Sequence, residues 1–90
     1  VPMAVASGSS REVVEKTLQT LGVSDWFDEV VSSNEVANGK PAPDVFLEAA
    51  SRIGVDPKDC VVFEDARSGI IAARAAGMEV VAVPTHLNLD

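Results

Sequence analysis

Four short apolar runs alternate with three stretches of helical periodicity, and each helical stretch closes on a glycine, at Gly22, Gly54 and Gly77. The apolar runs cover residues 3–6, 29–32, 60–63 and 79–83. They are rich in valine and show little polar alternation, as expected of strands buried on both faces of a parallel sheet. The first helix is expected over about residues 10–21. Ser9 and Glu12 have the spacing of a capping box, with Ser9 or Ser10 as the cap, and Val13, Val14, Thr17, Leu18 and Leu21 form the apolar stripe. The second helix begins at Pro43, whose missing N–H is harmless in a first turn, and turns Phe46, Leu47, Ala50 and Ile53 inward. The third covers about 66–76, with Ile70, Ala73 and Ala76 on its packing face. The order β-α-β-α-β-α-β with short connections predicts an α/β fold, a doubly wound parallel sheet of four strands and three helices.

Ninety residues make at most one small domain with a modest core. Aromatics are only 4%, so aliphatic side chains must fill that core. A net charge of -7 argues against nucleic acid or an anionic membrane as partner, while a small anionic ligand stays possible because local groups govern a site. No apolar run has the length of a membrane span. Cys60 is the only cysteine, which rules out an internal disulfide and fits a reducing, cytoplasmic compartment. The chain opens without Met and enters its first strand almost at once, so it reads as a piece of something longer.

Open parallel sheets gather ligands beyond the carboxyl ends of their strands. Three polar groups fall there. The first strand runs into "SGSS", where Ser7, the mobile backbone of Gly8 and a helix N-terminus make a generic anion site; the bland alternative is a simple helix cap. The second leads into the long loop 33–42, in which Pro41 and Pro43 stiffen the chain after Gly39 and Lys40. A lysine pinned in this way can neutralise phosphate, or it can be an ordinary surface cation. The third strand ends in Glu64 and Asp65. Adjacent carboxylates repel, and a hard dication such as Mg²⁺ removes that cost; alternatively Asp65 caps the third helix and Glu64 faces water.

The motifs "VASGSS", "GKPAPD" and "VVFEDARSGIIAARAAGM" resemble the second, third and fourth signatures of the haloacid dehalogenase-like superfamily, most of all its β-phosphoglucomutase-like and phosphoglycolate-phosphatase-like branch. The resemblance spans nearly the whole chain. It implies a Rossmann-like fold and Mg²⁺-dependent phosphoryl transfer on a small phosphorylated metabolite, by a phosphatase working through an aspartyl phosphate or by a phosphomutase; the rival reading is a non-catalytic module that binds Mg²⁺ and phosphate. It also implies that Ser7 and Gly8 bind the phosphoryl group, Lys40 neutralises it, and Glu64 and Asp65 hold Mg²⁺, with Ser7, Lys40 and Asp65 in the catalytic set. Ala66 departs from the serine many members carry.

The family's nucleophile lies in a D-x-D motif that this sequence lacks. Its helical cap is also missing. Residues 1–90 therefore read as the C-terminal part of one catalytic domain, inactive without the N-terminal half. In the family the nucleophile strand lies between the first and third strands seen here. Its loss leaves either a slot for another segment or a closed-up order 2-1-3-4. Among other residues, Arg11 could reach phosphate or simply face solvent, His86 reads as a loop residue near the rim, Cys60 as inert core, and Trp26 and Phe27 as covers for the sheet end. Arg67, Arg74, Glu12, Glu15 and Lys16 read as solvated helix faces.

Overall fold

The computed structural model describes residues 1–83. Seven regular elements follow the expected order. They are β1 (Ala4–Ser7), α1 (Arg11–Leu21), β2 (Glu29–Ser32), α2 (Asp44–Ile53), β3 (Val61–Glu64), α3 (Arg67–Ala75) and β4 (Glu79–Ala82), with short 3-10 turns at Ser24–Trp26, Ser33–Glu35 and Pro57–Asp59. Strand β1 pairs in parallel with β2, Ser7 opposite Ser32, and β3 pairs in parallel with β4, Glu64 opposite Ala82.

The strands do not close into one sheet. They form two separate parallel pairs, β1-β2 and β3-β4. Between them runs an apolar groove of about 700 Å³, lined along one side by residues 1–6 and along the other by residues 59–64, with Phe46, Ala49 and Ala50 at its floor. Of the two arrangements expected, the contiguous order 2-1-3-4 is therefore not adopted. Both pairs pack on the α2 and α3 helices, so one core spans the two without the strands joining.

One core holds both halves. Val31, Val45, Phe46, Ala49, Ala50, Ala72, Ala73, Ala76 and Met78 form it, joined by Ala4 and Ala6 of β1, Val62 of β3 and Val80 of β4. Alanines dominate the helix faces, which lets α2 and α3 approach the strands closely. The expectation of strands buried on both faces fails for β3 and β4. Val61 and Val81 are exposed and Phe63 is 71% exposed, because among the described residues nothing packs on that side.

The helix stripes also need correction. Of the α1 stripe only Val14 is buried; Val13 and Leu21 are exposed, since α1 packs chiefly on β2. In α2, Val45 and Ala49 join Phe46 and Ala50 inside, and Leu47 turns out. In α3 the buried set is Gly69, Ala72 and Ala73, with Ile70 only half-buried. The cap of α1 is Ser10, whose hydroxyl accepts from the Val13 N–H, so no Ser9–Glu12 box forms. Pro43 occupies the cap position of α2 rather than its first turn. Gly22, Gly54 and Gly77 do end their helices, each with φ between 71° and 82°, where a side chain would be strained.

Candidate active site

The C-terminal ends of β1 and β3 face one another across the mouth of the groove, and Lys40 joins them. Its Nζ donates to the Ala6 carbonyl at 3.2 Å and to Glu64 Oε2 at 2.9 Å. The ammonium lies 5.0 Å from the centre of the Phe46 ring, a cation–π contact that seats the lysine stem on the core. Only 15% of the Lys40 side chain and 12% of the Glu64 side chain meet solvent. Lys40 is thus no surface cation.

The loop that carries Lys40 is fixed at several points. Asp44 accepts from the Asn38 backbone and side chain, and Ala42 N–H reaches the Gly39 carbonyl. The Lys40–Pro41 peptide is cis. Upstream, Glu35 accepts from the Ser32 backbone and hydroxyl, from Arg11 and from Arg52, tying β2, α1 and α2 to the loop base. The Ser32 backbone N–H, then Arg11, hold the Glu35 carboxyl down at about 2. Arg11 also bonds Glu15 and the Val30 carbonyl. It is a clamp between elements, its partners lying on α1, on β2 and in the turn after β2.

Glu64 folds back rather than facing water. Its Oε1 accepts from the Asp65 and Ala66 N–H groups at 3.2 and 3.3 Å while Oε2 takes the lysine. Burial pushes this carboxyl up, but hydrogen bonds from Lys40 and Ala66, the lysine charge and the Asp65 bond outweigh it, so the net shift is downward. Asp65 does not cap α3; the cap position is Ala66, which has no side chain able to bond the helix N-terminus. The departure noted in the sequence therefore falls on a cap. Asp65 is exposed beside Glu64.

Ser7 ends β1, and its Oγ accepts from the Ser9 N–H at 3.0 Å. Gly8 is pinned by Ser33, whose hydroxyl donates to its carbonyl at 2.9 Å. Neither Gly8 nor Gly39 has a left-handed φ, and a Cβ at Gly8 would meet nothing within 4 Å. Cys60 is half-buried and its thiol is pushed up by burial and by Asp59 and Asp56, the reverse of an activated thiol. Phe27 lines the groove while Trp26 is exposed. His86 lies outside the described residues.

Lys40 therefore ties the end of β1 to the carboxylate that closes β3, and Ser7 and Asp65 are the next residues in the chain after the two it bonds. The sequence matches the family of haloacid dehalogenase-like hydrolases over residues 1–77. The chain belongs to the haloacid dehalogenase-like hydrolases. Fructose-1-phosphate phosphatase YqaB of Escherichia coli is 55% identical over 82 residues, 91% of this chain and 44% of that protein. The structure of β-phosphoglucomutase from Clostridium difficile superposes with a TM-score of 0.86 at 35% identity, covering 99% of this chain and 39% of that one. CbbY from Rhodobacter sphaeroides, solved in complex with phosphate, gives a TM-score of 0.88 at 31% identity over 94% of this chain and 39% of its own. The chain spans less than half the length of each.

Within this hydrolase fold the metal question can be put to the donor atoms. Among the described residues no group of three or more His, Cys, Asp and Glu could hold a metal ion. Mg²⁺ typically takes one or two carboxylates from protein and fills its shell with water and phosphate oxygens. Glu64 and Asp65 are hard oxygen donors in that number, so they fit part of such a site, provided Glu64 exchanges Lys40 for the cation. Sequence reasoning missed Glu35, Phe46 as a seat for Lys40, and Gly69, which lies against Glu64. The S-x-x-E spacing of Ser32 and Glu35 was the available signal for the first.

Proposed function

We propose that the chain is the C-terminal part of the catalytic domain of a Mg²⁺-dependent phosphatase acting on a sugar phosphate or another small phosphorylated metabolite in the cytoplasm. The observation that carries this is the position of Lys40, held between the end of β1 and Glu64 at the mouth of the groove. A phosphoryl group entering the mouth would meet the Lys40 ammonium and the Ser7 hydroxyl, with the loop after β1 beside them. Lys40 would neutralise its charge, and the Phe46 ring would keep the ammonium in place. Glu64 and Asp65 would hold Mg²⁺, which supplies positive charge to the phosphoryl oxygens. The similarity to a fructose-1-phosphate phosphatase supports the substrate class. Similarity to a β-phosphoglucomutase supports transfer between positions of a sugar as the second reading.

The nucleophile comes from elsewhere. The groove is apolar, one side of each flanking strand has no ladder partner among the described residues, and the Lys40 ammonium sits against Glu64 at its mouth. An extended segment from the N-terminal half of the same protein, ending in an aspartate, would complete both ladders and deliver that carboxylate beside Lys40. Attack of this carboxylate on phosphorus would form an aspartyl phosphate as the bond from phosphorus to the sugar oxygen breaks, the sugar leaving as an alcohol with a proton from the second aspartate of the D-x-D motif; water would then hydrolyse the aspartyl phosphate to free carboxylate and inorganic phosphate.

The test compares the 90-residue chain with a polypeptide that joins it to its N-terminal half. Both are assayed with fructose 1-phosphate and glucose 1-phosphate, with Mg²⁺ and with EDTA. Release of phosphate by the joined protein alone, lost in Asp65→Asn and Lys40→Met, is expected. Mg²⁺-dependent turnover by the 90-residue chain would overturn the assignment of the nucleophile.

A further inference from the structure

Gly69 is the one buried residue of α3 without a side chain, and the Glu64 side chain occupies the place where one would be. A Cβ on Gly69 would fall 2.1 Å from Glu64 Cδ and Oε2 and 2.3 Å from Cγ. Real Cβ atoms do not come that close, so one of the two must move. Glu64 would be the one to do so, because its carboxylate is the free end of a flexible side chain whereas Gly69 is fixed in a helix packed on the core. The oxygen that would collide, Oε2, is the one that accepts from Lys40.

We propose that Gly69 is a positioning residue: the bare patch it leaves on α3 is the seat of the Glu64 carboxylate, and this seat holds Glu64 on Lys40. Any side chain at residue 69 lifts the carboxylate off the lysine and uncovers the ammonium. The inference deepens the phosphatase reading in what the pair is for, but where the carboxylate lies does not depend on that reading.

Two measurements on the 90-residue chain decide it. The first is acetic anhydride labelling of lysine followed by mass spectrometry. Lys40 is shielded by Glu64, whereas Lys16 and Lys58 are exposed and serve as internal standards. In Gly69→Ala, labelling of Lys40 rises to the level of Lys58, as it does in Glu64→Ala. In Ala73→Gly, which loosens the same helix without touching Glu64, it does not. The second is the melting temperature. Alanine in a helix ordinarily stabilises relative to glycine. Gly69→Ala therefore raises the melting temperature in a Glu64→Ala background, and lowers it with Glu64 present or with Glu64→Gln, which keeps the bulk. Lys40 labelling unchanged in Gly69→Ala, or the same change of melting temperature in all three backgrounds, would overturn the proposal. A chain that passes both measurements and yet shows no phosphatase activity once joined to its N-terminal half would keep the seat and lose the reaction.

Discussion

Replacing Lys40 with methionine keeps the stem over Phe46 and removes only the charge. At 2.9 Å and an effective dielectric constant near 20, the attraction to Glu64 is about 6 kcal/mol before the cost of taking both ions out of water. Breaking one side of a fully buried pair costs about 3–5 kcal/mol, because the other charge is left without compensation. Here Glu64 retains the Asp65 and Ala66 N–H groups and a little solvent, so the loss should fall below that range, at about 2 kcal/mol. For a chain of this size that is about 8–16 °C in melting temperature, read by circular dichroism. The pH dependence distinguishes charge from packing. The folded-state value of Glu64 lies below its ordinary 4.5. The pair therefore contributes fully above about pH 4.5, and its contribution is lost as pH falls through the folded value. In Lys40→Met the burial that pushes Glu64 up is no longer opposed by the lysine. The gap between variant and wild type should thus be largest at pH 7 and shrink toward pH 4. An equal gap at both pH values, or no gap at all, would refute the argument that Lys40 stabilises by neutralising a shielded carboxylate.

Three further outcomes follow from the same contacts. Ala66→Ser supplies the missing cap of α3 and should raise stability by about 1 kcal/mol in urea unfolding; no gain would mean that Glu64 already satisfies that helix end. Glu35 titrates at about 2 in the folded chain, so its share of stability is present above about pH 4.5 and disappears as pH falls through about 2; Glu35→Gln should flatten the stability–pH curve across that interval, and a curve of unchanged slope would count against the clamp. Asp65→Asn should weaken Mg²⁺ binding by about tenfold or more, measured by titration calorimetry on the protein joined to its N-terminal half. Unchanged affinity would remove Asp65 from the proposed metal ligands.

The order of elements was legible because valine runs and glycine stops are local signals. Gly22, Gly54 and Gly77 adopt the left-handed φ that their positions at helix ends imply. Burial was less legible, since it depends on what lies opposite. Phe63 reads as core in a run of "VVF", yet it is exposed because no described element covers that face of β3. Leu47, expected inside, turns out, while Val45, two residues earlier and on the opposite side of α2, is buried. At the site, motif spacing picked out Lys40 and Glu64 as charged partners of a ligand, but not as partners of each other. That pairing needs the cation–π seat on Phe46 and the bare surface of Gly69, both set by tertiary packing. The ion pairs of Arg11 were not legible, because sequence places it only at a helix start, whereas its partners Glu35 and Val30 lie about twenty residues away.

Among the described residues, dividing the strands into two pairs leaves four unpaired sheet margins where a single sheet would leave two. Two of them flank an apolar trough, and Phe63 lies bare on the adjoining face. Margins of this kind recruit strands from other molecules. Every copy of the isolated chain carries both the template and the material to fill it, so self-association with rising concentration is built into its architecture, and its solubility should improve once the trough is occupied.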